Sequence, residues 1–425
     1  MNKAIRNQLS VMMFLEYVIW GAWLPLLTLY LTKYLHFRGG VDFTGSETAW
    51  IQNTFAIASV TAMFVGGQLA DRYFSGEKFL AFSHFVGGVT MLLLPMQKTF
   101  WPFFIIMLIH CLVYVPTLSL TNAICFANLK DAQKDFGFVR LWGTIGWIAA
   151  SWPFVFLLKG KADAGMASAL TNIFTVAGIS SIVLGAFCLT LPHTPPVKNE
   201  NQKNAPLEAI KLLAVPSILV LFVVTFLDSL VHYCYFFWTG SFLSFLGVPE
   251  NWIMPAMSIG QIAEISTMAG LGFFLKKLGW RKIMIIGILG HAVRFFIYAS
   301  ASANLAWLVI ASNVVHGFCY AFFFASVYIF VDEKFPKDAR TSAQGLFNLL
   351  ILGVGPFVGN FIWGKLGDHY TTKVIVNEAA QSQINFHSLF LIPAGLALVA
   401  AFLLFAFFHP PEKEAVGEGG ARPSH

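Results

Sequence analysis

Apolar stretches long enough to cross a bilayer recur from one end of this chain to the other, and that recurrence restricts its fold more than any other feature. A helical span needs roughly 20 residues, because the hydrocarbon core is about 30 Å thick and a helix rises about 1.5 Å per residue. About twelve spans are expected by that rule. They lie near 9–32, 47–70, 79–96, 101–127, 139–158, 167–191, 213–246, 252–275, 282–301, 304–331, 341–364 and 386–408. Hydrocarbon offers no partner to a backbone N–H or C=O, so spans of this kind should be helices. Composition agrees: 57% of the 425 residues are hydrophobic and 11% charged, against roughly 45–50% and 25% in soluble domains.

Lysine and arginine set the expected orientation. With the N-terminus inside, the cytoplasmic loops collect Arg72, Lys78, Lys130, Lys134, Lys276, Lys277, Arg281 and Lys337, whereas the opposite side keeps few cations. This is the positive-inside pattern, and it predicts both termini in the cytoplasm of a multi-pass inner-membrane protein. The net charge of +6 then reflects topology and not a nucleic-acid surface. Lys3 and Arg6 precede an apolar run long enough to span with no small-residue cleavage site after it, which predicts an uncleaved first helix. Cys111, Cys125, Cys188, Cys234 and Cys319 are scattered through apolar spans without a CxxC pair. They read as small packing residues, and no metal or cofactor is expected.

The polar, proline-rich stretch 192–204 divides the spans six and six. Arg140 opens the fifth span and Arg340 the eleventh, each after a charged loop, a weak internal echo. Two six-helix bundles in parallel repeat describe the major facilitator architecture, an all-α membrane fold of twelve transmembrane helices. The expected divisions are 1–192 for the first bundle, 193–212 for a cytoplasmic linker, 213–409 for the second bundle and 410–425 for a disordered tail. Gly67-Gln68-Leu69-Ala70-Asp71-Arg72, placed after the second span, resembles that superfamily's signature.

Ionisable groups at membrane depth are functional candidates by default. Arg140, Thr144 and Trp147 fall at i, i+4, i+7 and line one helical stripe. Arg140 either faces a solute-lined interior or snorkels from the end of its helix. Glu16 lies in the first span with Trp20 and Trp23, as a functional acid or as one half of a structural pair. Asp228, His232, Tyr235 and Thr239 form a polar stripe on the seventh span, which predicts a face turned to a water-accessible cavity, with Tyr233 pointing elsewhere. Gln261 and Glu264 sit at i, i+3 in the eighth span. Arg294 in the ninth could pair with Glu264 or Asp228, His316 and Tyr320 mark the tenth, and Asn122 is a polar group of the fourth.

Several segments together resemble the nucleoside:proton symporter family of the major facilitator superfamily. They are Trp20-Gly21-Ala22-Trp23, Pro116-Thr117-Leu118, Arg140-Leu141-Trp142-Gly143-Thr144-Ile145-Gly146 and Leu191-Pro192-His193. Ser258-Ile259-Gly260-Gln261-Ile262-Ala263-Glu264 and Ser342-Ala343-Gln344-Gly345 extend the likeness into the second half. The resemblance implies that Arg140, Thr144, Trp147, Gln261 and Glu264 contact a nucleoside. It carries Tyr233, His316 and Tyr320 over to substrate-binding positions less directly, and leaves the family's tenth-helix aspartate as Ala321. Carboxylates left for proton coupling are Glu264, Asp228 and Glu16.

The expected function is a nucleoside importer working by alternating access with proton symport, in a lipid bilayer and as a monomer. Trp147, Tyr235 and Tyr320 are the candidate stacking surfaces for the base. The rival on the same fold is a carrier of a sugar or another small polar solute, or a nucleoside uniporter. An enzyme reading lacks support, since no HExxH, Gly-x-Ser-x-Gly or P-loop occurs.

Overall fold

The computed structural model describes residues 3–62, 75–130, 132–195, 212–334, 340–376 and 379–409. The Gly67–Arg72 motif, most of the linker and the tail lie outside the described residues. The first three runs give α1 (Lys3–Leu29), α2 (Gly45–Thr61), α3 (Gly76–Leu93), α4 (Phe100–Asn128), α5 (Ala132–Ala150), α6 (Trp152–Leu157), α7 (Asp163–Leu170) and α8 (Asn172–Cys188). The later runs give α9 (Pro216–Phe245), α10 (Glu250–Ser300), α11 (Ala306–Ser312), α12 (Val314–Cys319), α13 (Ser326–Lys334), α14 (Arg340–Asn348), α15 (Gly355–His369) and α16 (Phe386–Phe407). Wide-turn segments Tyr320–Ala325 and Leu349–Val354 join α12 to α13 and α14 to α15. Among the described residues, nine helical stretches are long and apolar enough to cross a membrane.

Two sequence expectations need correction, and a third, the separation of the eighth and ninth spans, is met. The eighth and ninth spans are the two limbs of α10, two helices separated at Gly279, whose φ of 75° and ψ of 166° are non-helical and which a side chain would resist. The fifth helix starts at Ala132 and not at Arg140. Arg140 therefore stands eight residues, roughly 12 Å, inside its helix at about 1.5 Å per residue. The chain is also not wholly helical: Thr371–Val376 and Ala379–Ile384 pair as an antiparallel hairpin, Thr371 opposite Ile384.

Packing follows small residues. α5 lies along α1 because Gly146 leaves room only for the Phe14 backbone, and Gly21 opposes Trp147 in the same way. In the second half, α9 and α15 are tied through indoles: Trp238 Nε1 donates to the Trp363 carbonyl at 3.0 Å, and Trp363 Nε1 to the Leu230 carbonyl at 2.8 Å. The five cysteines are free and buried, as packing residues should be.

Helices before residue 195 meet those after 212 mainly at one end of the molecule. There Lys33 Nζ donates to Ser244 at 2.8 Å and Tyr34 to Glu250 at 2.7 Å. Asn53 donates to the Phe357 carbonyl at 3.0 Å and receives from Asn360 at 2.9 Å. The opposite end is where the interior opens.

Candidate substrate cavity

A cavity of about 540 Å³ lies between the two sets of helices, within the roughly 300–1,000 Å³ common for small-molecule sites. Its lining runs from Leu24, Phe55, Trp147 and Phe236 at depth to Ala62, Asn122, Tyr328 and Gly345 near the end where the loops are expected to be basic. The first half contributes Arg140, Thr144 and Trp147 from α5, as their spacing predicts. The second half contributes Gln261 and Glu264 from α10 and His316 and Tyr320 from the α12 region. A cation and a carboxylate thus share one chamber whose walls are mostly apolar and aromatic.

Of the first-helix candidates Glu16, Trp20 and Trp23, only Trp20 faces the cavity. Tyr17, Trp20 and Leu24 line the cavity, whereas Glu16 is fully buried. Thr117 donates to Glu16 Oε1 at 2.6 Å, and His84 Nε2 lies 2.8 Å from Oε2, so the acid is spent on interhelical bonds. Tyr17 went unnoticed in the sequence. Its ring lies 4.3 Å from the Arg140 guanidinium carbon and holds that charge against the chamber wall. The i, i+3, i+7 spacing of Tyr17, Trp20 and Leu24 was the available signal. Trp20 stacks on Phe55 at 4.8 Å and meets Trp147 edge-on at 5.2 Å, giving a rigid aromatic floor.

On α9 only His232 of the expected polar stripe faces the cavity. Asp228, Tyr235 and Thr239 are fully buried against neighbouring helices, and the cavity side carries His232, Tyr233 and Phe236. Tyr233 therefore faces in, contrary to the helical-wheel expectation. Tyr235 sits behind His316, stacked on its ring at 4.6 Å, with its hydroxyl donating to the Met257 carbonyl at 3.2 Å. It borders only a small pocket beside Trp147. Arg294 hydrogen-bonds neither Glu264 nor Asp228; its partners are His316 at 2.8 Å and His291 at 3.0 Å. Ala321 is fully buried.

Comparison with known proteins points the same way as the chamber. The family model described as "Nucleoside H+ symporter" matches residues 1–413. YegT of Escherichia coli (strain K12) is 34% identical over 417 residues, covering 96% of this chain and 94% of its own. Nucleoside permease NupG from the same strain is 29% identical over 422 residues, covering 95% and 96%. The crystal structure of nucleoside transporter NupG superposes with a TM-score of 0.82 at 28% identity, covering 96% of this chain and 99% of that one. A D-xylose-proton symporter, at 14% identity and a TM-score of 0.73 over 96% of this chain and 98% of its own, shares the fold. With its model matched over nearly the whole chain, the protein belongs to the nucleoside H+ symporter family.

Proposed function

We propose that this protein carries nucleosides across a bacterial inner membrane by alternating access, in symport with protons. The observation that carries the reading is the chamber itself. Arg140 and Thr144 from one half oppose Gln261 and Glu264 from the other, between aromatic walls that suit a base. A ribose offers hydroxyls for Gln261 and Glu264, and Arg140 presents a planar fork of donors to a base carbonyl.

Twelve transmembrane helices complete the scheme: the nine long stretches, with α10 counted twice across Gly279, plus α2 and the α5–α6 pair. The first bundle takes residues 1–192, the linker 193–212, the second bundle 213–409 and the tail 410–425, with both termini cytoplasmic. The cavity then faces the cytoplasm, and the polar bonds at the other end close the outer side. The protein acts as a monomeric transporter and not as an enzyme. Glu264 is the favoured proton site, because it alone of the three candidate carboxylates lines the chamber; Asp228 and Glu16 are buried behind it.

Proteoliposomes test this directly. Under an imposed inward proton gradient the protein should accumulate uridine or adenosine above equilibrium, and Glu264→Gln should abolish accumulation while retaining binding. Downhill uptake without accumulation would make it a uniporter, in keeping with Ala321. Xylose uptake without nucleoside uptake would overturn the substrate.

A further inference from the structure

Arg294 is a fully buried cation to which the transport scheme gives no task. It stands on the limb of α10 that follows Gly279. Nη1 lies 2.8 Å from His316 Nδ1, and Nη2 lies 3.0 Å from His291 Nδ1. Its guanidinium carbon sits 4.3 Å from the centroid of the Tyr235 ring. A guanidinium carries five N–H donors and accepts nothing. Both Nδ1 atoms must therefore be the acceptors. An imidazolium has hydrogen on both ring nitrogens and could not accept, so each ring is neutral with its hydrogen on Nε2. In His291 that nitrogen lies 3.7 Å from Asp228 Oδ2. In His316, a lining residue of the cavity, it is the ring nitrogen left for a solute. The ring has little freedom to turn, being stacked between Tyr235 at 4.6 Å and His232 at 5.0 Å, with Gly260 against its Cβ.

We propose that Arg294 is a positioning residue for substrate recognition: it holds His316 in the one tautomer that presents an N–H donor to an acceptor on the nucleoside base. This rests on the nucleoside reading above. Bases carry carbonyl oxygens and unprotonated ring nitrogens on their edges, and these fit a fixed donor. A base edge that offers only N–H groups meets no lone pair there and is rejected. A histidine free to change tautomer would accept either edge, so the selectivity comes from Arg294 although Arg294 need not touch the substrate.

Two measurements on the purified full-length protein test the assignment. The first is a nitrogen-15 spectrum of histidine-labelled protein, with His316→Leu identifying the His316 signals. The expected result is a neutral Nε2–H ring in the wild type and a mixture of tautomers in Arg294→Met. A wild-type His316 found as Nδ1–H or as imidazolium overturns the proposal. The second is uridine and adenosine binding by a double-mutant cycle. His316→Leu and Arg294→Met should each weaken binding about tenfold, a typical loss for one buried hydrogen bond. The double variant should bind no worse than His316→Leu, because Arg294 acts through that ring. Additive losses overturn the proposal and make Arg294 a packing residue. Arg294→Lys keeps a donor at Nδ1 and should recover most of the binding; should Arg294→Met not fold, this variant and the wild-type spectrum still decide. If wild-type protein binds neither nucleoside, the nucleoside reading falls, an outcome distinct from additive losses.

Discussion

The carboxylate of Asp368 caps a helix that begins 323 residues earlier in the chain, accepting from the Gly45 N–H at 2.6 Å and the Ser46 N–H at 2.9 Å. The first turn of α2 is positive by virtue of its unpaired N–H groups, so an acid is favoured there. Thr44 and Glu47 form a capping box at the same end and satisfy the remaining donors. Gly45 and Gly364 bring the two backbones together, each lacking the Cβ that would collide with the other's carbonyl. The closed end is therefore held by a cap reaching from one half of the molecule to the other.

Removing that cap should loosen the closed end. Asp368→Ala is expected to cost the closed state about 1 kcal/mol, the usual worth of a cap, and to shift the open population about fivefold. Leu24→Cys, which lines the cavity, reports this through its labelling by a membrane-impermeant maleimide applied from the Asp368 side. Unchanged labelling would mean that the cap does not hold the gate.

Two glycines of one helix should respond oppositely. A Cβ on Gly146 collides with the Phe14 backbone, whereas one on Gly137 meets nothing within 4 Å. Gly146→Ala should destabilise the protein by about 1–3 kcal/mol through overpacking. Gly137→Ala should be neutral or add up to about 1 kcal/mol from helix propensity. Thermal unfolding in detergent compares them, and equal effects would refute the close α1–α5 packing.

Arg140→Lys should reduce nucleoside uptake at least about tenfold, because lysine lacks the planar fork and stacks less well on Tyr17. Uptake in proteoliposomes at matched protein content measures this. Full activity in Arg140→Ala would return Arg140 to a snorkelling role.

Neighbouring tyrosines of α9 should separate binding from stability. Tyr233 lines the cavity, and Tyr235 is buried behind His316. Tyr233→Ala is expected to weaken nucleoside binding about tenfold, in the range for losing an aromatic stacking partner. Tyr235→Phe should leave affinity within about twofold and cost about 1 kcal/mol of stability from its lost hydrogen bond. Calorimetric binding and thermal unfolding of the two variants check both halves of the statement.

Sequence alone determined the membrane class, the apolar spans and most of the chamber. Length and hydropathy are local properties, and bilayer thickness converts them into spans without knowledge of contacts. Arg140, Thr144 and Trp147 were legible because three residues at helical spacing share a face whatever the helix packs against. Which face turns to the cavity is not local. The polar stripe of α9 could line water or pack against other polar groups, and periodicity is the same in either case. Only the tertiary structure decided that Asp228 and Tyr235 turn inward while His232, Tyr233 and Phe236 face the chamber. The same holds for the cations. Arg294 had two plausible carboxylates by charge, but it meets His291 one turn away on its own helix and, through the packing of α10 against α12, His316 instead. A partner is chosen by distance and direction between helices, and those quantities exist only once the helices are packed.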